Sequence, residues 1–117
     1  MPRIAILQMT SGIDPEENAT AIENAIVSAA DNGAAMIFTP EMSGLLDRDR
    51  KRAAKSIVLE SDTPALARAQ DAAHRAGIWV SLGSLAVKSP NDRWANRAFV
   101  IDPNGNIAGR YDKIHMF

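Results

Sequence analysis

The chain has 117 residues, 46% of them apolar, and a formal net charge of −1 from 13 Lys and Arg against 14 Asp and Glu. That is the make-up of one small soluble domain, able to bury roughly 65% of its extended surface around a single core and too short for two. Balanced charge gives no reason to expect nucleic acid as a partner, the lack of cysteine excludes disulfides and thiolate metal sites, and the only two histidines, His74 and His115, do not form a zinc motif.

The apolar run that opens the chain, Ile4 to Met9, is far too short for a signal segment or a membrane span, so a cytoplasmic protein without membrane contact is expected. The run ends at Thr10-Ser11-Gly12 and reads as a buried strand. A helix follows: Asp14 can cap it, Pro15 suits the first helical position and Glu17 completes a capping-box pattern. Ala19, Ile22, Ile26 and Ala29 recur at helical spacing on one face, and Gly33 supplies the stop. Met36 to Thr39 is a second strand, halted by Pro40.

Between Ser43 and Glu60 the pattern is weak, and Asp47-Arg48-Asp49-Arg50-Lys51-Arg52 reads as a solvated helical face, with a binding patch as the lesser alternative. Thr63-Pro64 opens a second helix with Leu66, Ala69, Ala73 and Ala76 on one side and Gly77 as its stop. Ile78 to Leu82 is a third strand that could continue through Gly83 to Val87, Ser89-Pro90-Asn91-Asp92 is a turn, and Ala98 to Ile101 is a fourth strand. Asp102-Pro103-Asn104-Gly105-Asn106 is a hairpin turn, and Ile107 to Ile114 is the returning strand.

Two right-handed β-α-β crossovers place both helices on one face of the sheet if the strands are added in one direction. Yet Ile4-Ala5-Ile6-Leu7, Met36-Ile37-Phe38 and Ala98-Phe99-Val100-Ile101 are apolar at consecutive positions, so both faces require burial. Two helices cover one. A further layer is expected on the other.

Four stretches occur at predicted strand ends in a telling order: Ile4-Ala5-Ile6-Leu7-Gln8-Met9, Phe38-Thr39-Pro40-Glu41-Met42, Asn96-Arg97-Ala98-Phe99-Val100-Ile101-Asp102 ahead of Gly105, and Tyr111-Asp112-Lys113-Ile114-His115-Met116-Phe117. In this order the chain resembles the first half of the nitrilase, or carbon-nitrogen hydrolase, superfamily, and most of all its amidase branch acting on deaminated glutathione. The resemblance implies an α+β fold: residues 1–117 would be the N-terminal half of a four-layer α-β-β-α sandwich, a mixed sheet with helices on one face, lacking its C-terminal half. It also implies hydrolysis of non-peptide C–N bonds in small amides by a Glu-Lys-Cys triad, without metal or organic cofactor, in a homo-oligomer. Glu41 matches the general base and Lys113 the oxyanion-stabilising lysine. The nucleophile has no counterpart among the 117 residues, so the chain alone is expected to be inactive, with a cysteine at a strand end beyond Phe117.

The chemistry explains the residue types. A thiol of pKa about 8.5 is mostly protonated at neutral pH and needs a base before it attacks an amide carbon. A glutamate buried at a strand end can be raised to roughly 6 to 7, which suits that task. An ammonium aimed at the developing oxyanion is comparable with one oxyanion-hole donor, about 3 to 4 kcal/mol. Blander readings stand beside these: Glu41 as a solvated carboxylate after Pro40, Lys113 as a charge blunting an edge strand, His115 as structural, Asn96 and Tyr111 as strand packing or turn support, and Trp79 and Trp94 as core or interface. The alternative from another class is a small open-sheet nucleotide-binding or regulatory module. Against it, Met9-Thr10-Ser11-Gly12-Ile13-Asp14 offers one glycine and an acidic residue where a phosphate would dock.

Overall fold

The computed structural model of the chain describes residues 3–6, 15–39, 63–88 and 94–112. Its elements are β1 (Arg3–Ile6), α1 (Pro15–Asp31), β2 (Ala34–Phe38), α2 (Pro64–Ala76), β3 (Trp79–Lys88), β4 (Trp94–Ile101) and β5 (Ile107–Asp112). They form one five-stranded sheet in the order β1-β2-β3-β4-β5. The first three strands are parallel, each reached from the last through a segment containing a helix. β4 and β5 are added as antiparallel neighbours. The result is the expected mixed sheet, with α1 and α2 packed side by side on one face.

The core lies between that face and the helices. α1 contributes Ala19, Ile22, Ile26 and Ala29, and α2 contributes Ala65, Leu66, Ala69, Ala72 and Ala73. Alanine dominates where the helices meet, and such small side chains let two helices approach closely. The sheet supplies Ile37, Val80, Leu82, Phe99 and Ile101, of which Phe99, Val80 and Ile101 are fully buried. Burying a side chain of the size of Phe99 or Ile22 is worth roughly 1.5 to 3 kcal/mol each. The salt bridges joining the helices, Arg68 to Glu16 at 3.2 Å and Arg75 to Glu23 at 3.0 Å, are exposed and contribute little beside that.

The long third strand owes its continuity to a bulge. Val80 and Leu82 are buried at even positions and Leu85 and Val87 at odd ones. The pairing with β4 shifts register between Leu82 and Leu85. One extra residue there reverses the alternation, so both halves of β3 turn their apolar side to the helices. β4 begins at Trp94, ahead of the expected Ala98, because Trp94 to Arg97 pair with Lys88 to Leu85 although their own apolar pattern is weak. β2 begins at Ala34, two residues early, where the turn at Gly33 delivers the chain directly to Arg3. The expected continuation of β1 to Met9, the Asp14 cap, the charge run at 47–52 and Ile114 lie outside the described residues.

The β4–β5 turn is fastened to α2. The Asp102 carboxylate accepts hydrogen bonds from the N–H groups of Asn104 (2.9 Å) and Asn106 (3.0 Å), and Gln70 Nε2 donates to the Gly105 carbonyl at 3.0 Å. Gly105 has φ +84, and a Cβ there would lie 2.7 Å from the Gln70 carbonyl oxygen. Gly77, which ends α2 with φ 70 and donates to the Ala73 carbonyl, has open space around it.

The other sheet face has no covering element among the described residues. Pairing places Ile4 with Met36, Ile6 with Phe38 and Met36 with Trp79 on that side, and Tyr111 joins it through Ala98. Exposure is 63% at Ile4, 74% at Ile6, 37% at Phe38, 41% at Trp79 and 63% at Tyr111. The doubly apolar strands therefore do what their sequences require on one side only. Trp79 and Tyr111 are surface residues of this bare face, not packed within the core.

Two outcomes follow from this packing. In urea unfolding, Gly77→Ala costs about 1 to 2 kcal/mol from the left-handed backbone alone, and Gly105→Ala costs more because overpacking adds about 1 to 3 kcal/mol. Gly109→Ala, with nothing within 4 Å, serves as the near-neutral control. The 117-residue chain on its own is expected to self-associate or bind a hydrophobic dye through the bare face, since exposed apolar area costs about 25 cal/mol per Å². A dye-negative monomer in light scattering would contradict this.

Candidate active site

Glu41, Lys113 and His115 lie outside the described residues, so the structure bears on the strands that deliver them. Glu41 follows Thr39 by two positions, and Lys113 follows Asp112 directly. One row of paired residues, Phe38, Ser81, Val100 and Gly109, crosses β2, β3, β4 and β5. β2 is parallel to β3, and two antiparallel steps bring β5 back to the same direction. The chain therefore leaves β2 and β5 at the same edge of the sheet, close to Glu41 in one case and Lys113 in the other. Three strand spacings separate the two exits, about 14 Å.

Each exit is fixed by specific hydrogen bonds. At β2, the buried Thr39 donates its backbone N–H to the Ser81 carbonyl at 2.9 Å, and its Oγ1 accepts from the Gly83 N–H at 3.2 Å. At β5, Arg97 and Asp112 stand directly opposite each other. Arg97 Nε donates to Asp112 Oδ1, and its Nη2 donates to Oδ2 at 3.0 Å, the two-pronged geometry that makes arginine–carboxylate pairs strong. Asn96, expected to support strand or turn, pairs with Ala86 within β4. Thr39, Gly83, Arg97 and Asp112 were not singled out by sequence reasoning, because their significance depends on partners across strands. The only local signal was the adjacency of Asp112 to Lys113.

Among the described residues, no group of three or more His, Cys, Asp or Glu could hold a metal ion, and no helix is long and apolar enough to cross a membrane. A shallow groove between β1 and α1 is lined by Arg3, Ala5, Ala25, Ser28, Asn32 and Ile37. No residue of β3, β4 or β5 contributes to it, so it does not adjoin the exit of β5.

The Arg97 hydrogen bond holds the Asp112 carboxyl below its ordinary value; slight burial opposes this and the arginine's charge reinforces it. A depressed folded pKa stabilises the protein above the unfolded value, and that contribution is lost as pH falls through the folded value. The carboxylate is half exposed, so the contribution is small. In a carbon-13 NMR titration, Arg97→Leu is expected to move the Asp112 midpoint up toward the ordinary carboxylate range. The stability gap between variant and wild type should be constant near neutrality and close in acid. An unmoved midpoint would show that the pair is not formed in solution.

Residues 3–117 match the carbon-nitrogen hydrolase family. The chain is 32% identical over 117 residues to the nitrilase and fragile histidine triad fusion protein NitFhit of Caenorhabditis elegans, covering 97% of this chain and 26% of that one. The crystal structure of that protein superposes with a TM-score of 0.84 over 100% of this chain and 30% of its own. A deaminated glutathione amidase of Yersinia enterocolitica is 31% identical, with 97% of this chain and 40% of the relative covered. An amidase from Nesterenkonia sp. superposes with a TM-score of 0.82 at 26% identity, over 99% of this chain and 44% of that one. The chain thus spans less than half the length of each of these relatives. With the family model matching residues 3–117 and the solved relatives superposing along the chain, the chain belongs to the carbon-nitrogen hydrolase family.

Proposed function

We propose that these residues form the N-terminal half of an amidase that hydrolyses small non-peptide amides, with Glu41 as general base and Lys113 as oxyanion stabiliser. The observation that carries this reading is the direction of the strands: β2 and β5 end at one edge, immediately ahead of Glu41 and Lys113. One mutant of the amidase from Nesterenkonia sp. has been solved in complex with butyramide, and another shows the Michael addition of acrylamide at the active-site cysteine. Small amides and a thiol nucleophile are accordingly the chemistry proposed for the whole protein. The cysteine would come from outside the 117 residues, which contain none, and this chain alone would be inactive.

In the proposed reaction Glu41 takes the thiol proton, and the thiolate attacks the amide carbonyl carbon. The carbonyl electron pair moves to oxygen, where the Lys113 ammonium faces it. Collapse breaks the C–N bond, the nitrogen leaves as ammonia or an amine with the proton from Glu41, and a thioester remains. Water, deprotonated by Glu41, then attacks the thioester to give the carboxylic acid and restore the thiol. Family membership favours this over an open-sheet nucleotide-binding module. The bare apolar face supports a second sheet lying against it; a cytoplasmic homo-oligomer is part of the same proposal.

In the complete enzyme, Glu41→Gln and Lys113→Met should each lower amide turnover by about 10²-fold or more, the usual scale for losing general acid–base catalysis. Circular dichroism and oligomer size should be unchanged. A variant retaining more than about a tenth of the wild-type rate would lose its assigned role.

A further inference from the structure

We infer that the Thr39 hydroxyl is the positioning device for Glu41, fixing the residue at which the chain leaves β2; this rests on the role proposed for Glu41. The pairing of β2 with β3 is regular from Met36 opposite Trp79 to Phe38 opposite Ser81. The Thr39 N–H adds one more rung, donating to the Ser81 carbonyl at 2.9 Å. In an uninterrupted parallel ladder the Gly83 N–H would next bond the Thr39 carbonyl. It donates instead to Thr39 Oγ1 at 3.2 Å. The side-chain oxygen thus stands in for the backbone oxygen.

That substitution has a geometric consequence. The rung on the β3 side is made by the Thr39 side chain in place of its carbonyl. The hydroxyl sits in a 7% exposed residue, so water does not readily replace it as the partner of the Gly83 N–H. The hydroxyl therefore fastens the end of β2 to β3, two residues ahead of the carboxylate that must meet a thiol proton within hydrogen-bond reach. A misplacement of about 1 Å can cost about 10²-fold in rate.

Serine retains this oxygen, whereas valine keeps the shape of threonine and removes it. In the complete enzyme, Thr39→Val should lower kcat by about 10-fold or more with KM changed by less than about 3-fold, and shift the acid limb of the kcat–pH profile. Thr39→Ser should stay within about 3-fold of wild type. Amide exchange at Gly83 should be slow in the wild type and in Thr39→Ser, and fast in Thr39→Val. Glu41→Gln is run alongside: if it keeps its turnover, the general-base assignment itself falls. If Glu41→Gln is inactive while Thr39→Val retains kcat, or Thr39→Ser loses as much as Thr39→Val, the positioning role is overturned. A Gly83 amide that exchanges freely in the wild type overturns it even if Thr39→Val does not fold.

Discussion

The structure depends on a sheet whose strands are apolar at consecutive positions. Along β2 and β4, Ile37, Phe99 and Ile101 turn to the helices, while Met36, Phe38, Ala98 and Val100 turn away. Such strands suit an interior position, not one face of a two-layer protein. The helices meet half of the requirement with an alanine-rich interface that keeps them close together above the sheet. The bulge in β3 serves the same end, because it brings Leu85 and Val87 back to the side already occupied by Val80 and Leu82. The unmet half is the array from Ile4 to Tyr111, and relatives more than twice as long have additional chain to set against it.

The same topology governs direction. Helical crossovers keep β1, β2 and β3 parallel, and two successive antiparallel steps restore that direction in β5. With a single hairpin, the last strand would point its end, and so Lys113, toward the opposite edge from Glu41. The tight turn at Asp102 to Asn106 therefore sets the direction of β5 as well as connecting it to β4. Its attachment to α2 through Gln70 and Gly105 ties the β4–β5 pair to the core.

Much of this was legible in the sequence. The helical faces, the Gly77 and Gly105 turns, the order of strands and the uncovered face all follow from local periodicity or backbone chemistry, which nearby residues determine. The start of β4 was less legible, because Trp94 to Arg97 become strand by pairing with Leu85 to Lys88 of β3. Thr39 was visible only as the end of a strand, since its role is set by Gly83, a residue 44 positions away. The Arg97–Asp112 pair is of the same kind. Glu41 and Lys113 were identified through a family resemblance and lie outside the described residues; what the structure describes is the strands that lead to them.

The sheet also limits where the proposed chemistry can occur. β3 and β4 lie between β2 and β5, and they extend past the Phe38 row as far as the pairing of Lys88 with Trp94. Their backbone fills the plane of the sheet between the two exits, which stand about 14 Å apart. Glu41 and Lys113 cannot share a substrate within that plane, so they would have to converge above one of its faces. The helices already pack on one face; the other holds Phe38, Trp79 and Tyr111 at its surface. A site on that open side would lie where an added layer must cover apolar area, so the burial that completes the sandwich would also shield the reaction from bulk water. In that arrangement the requirement for a second layer and the requirement for a cysteine have one structural solution.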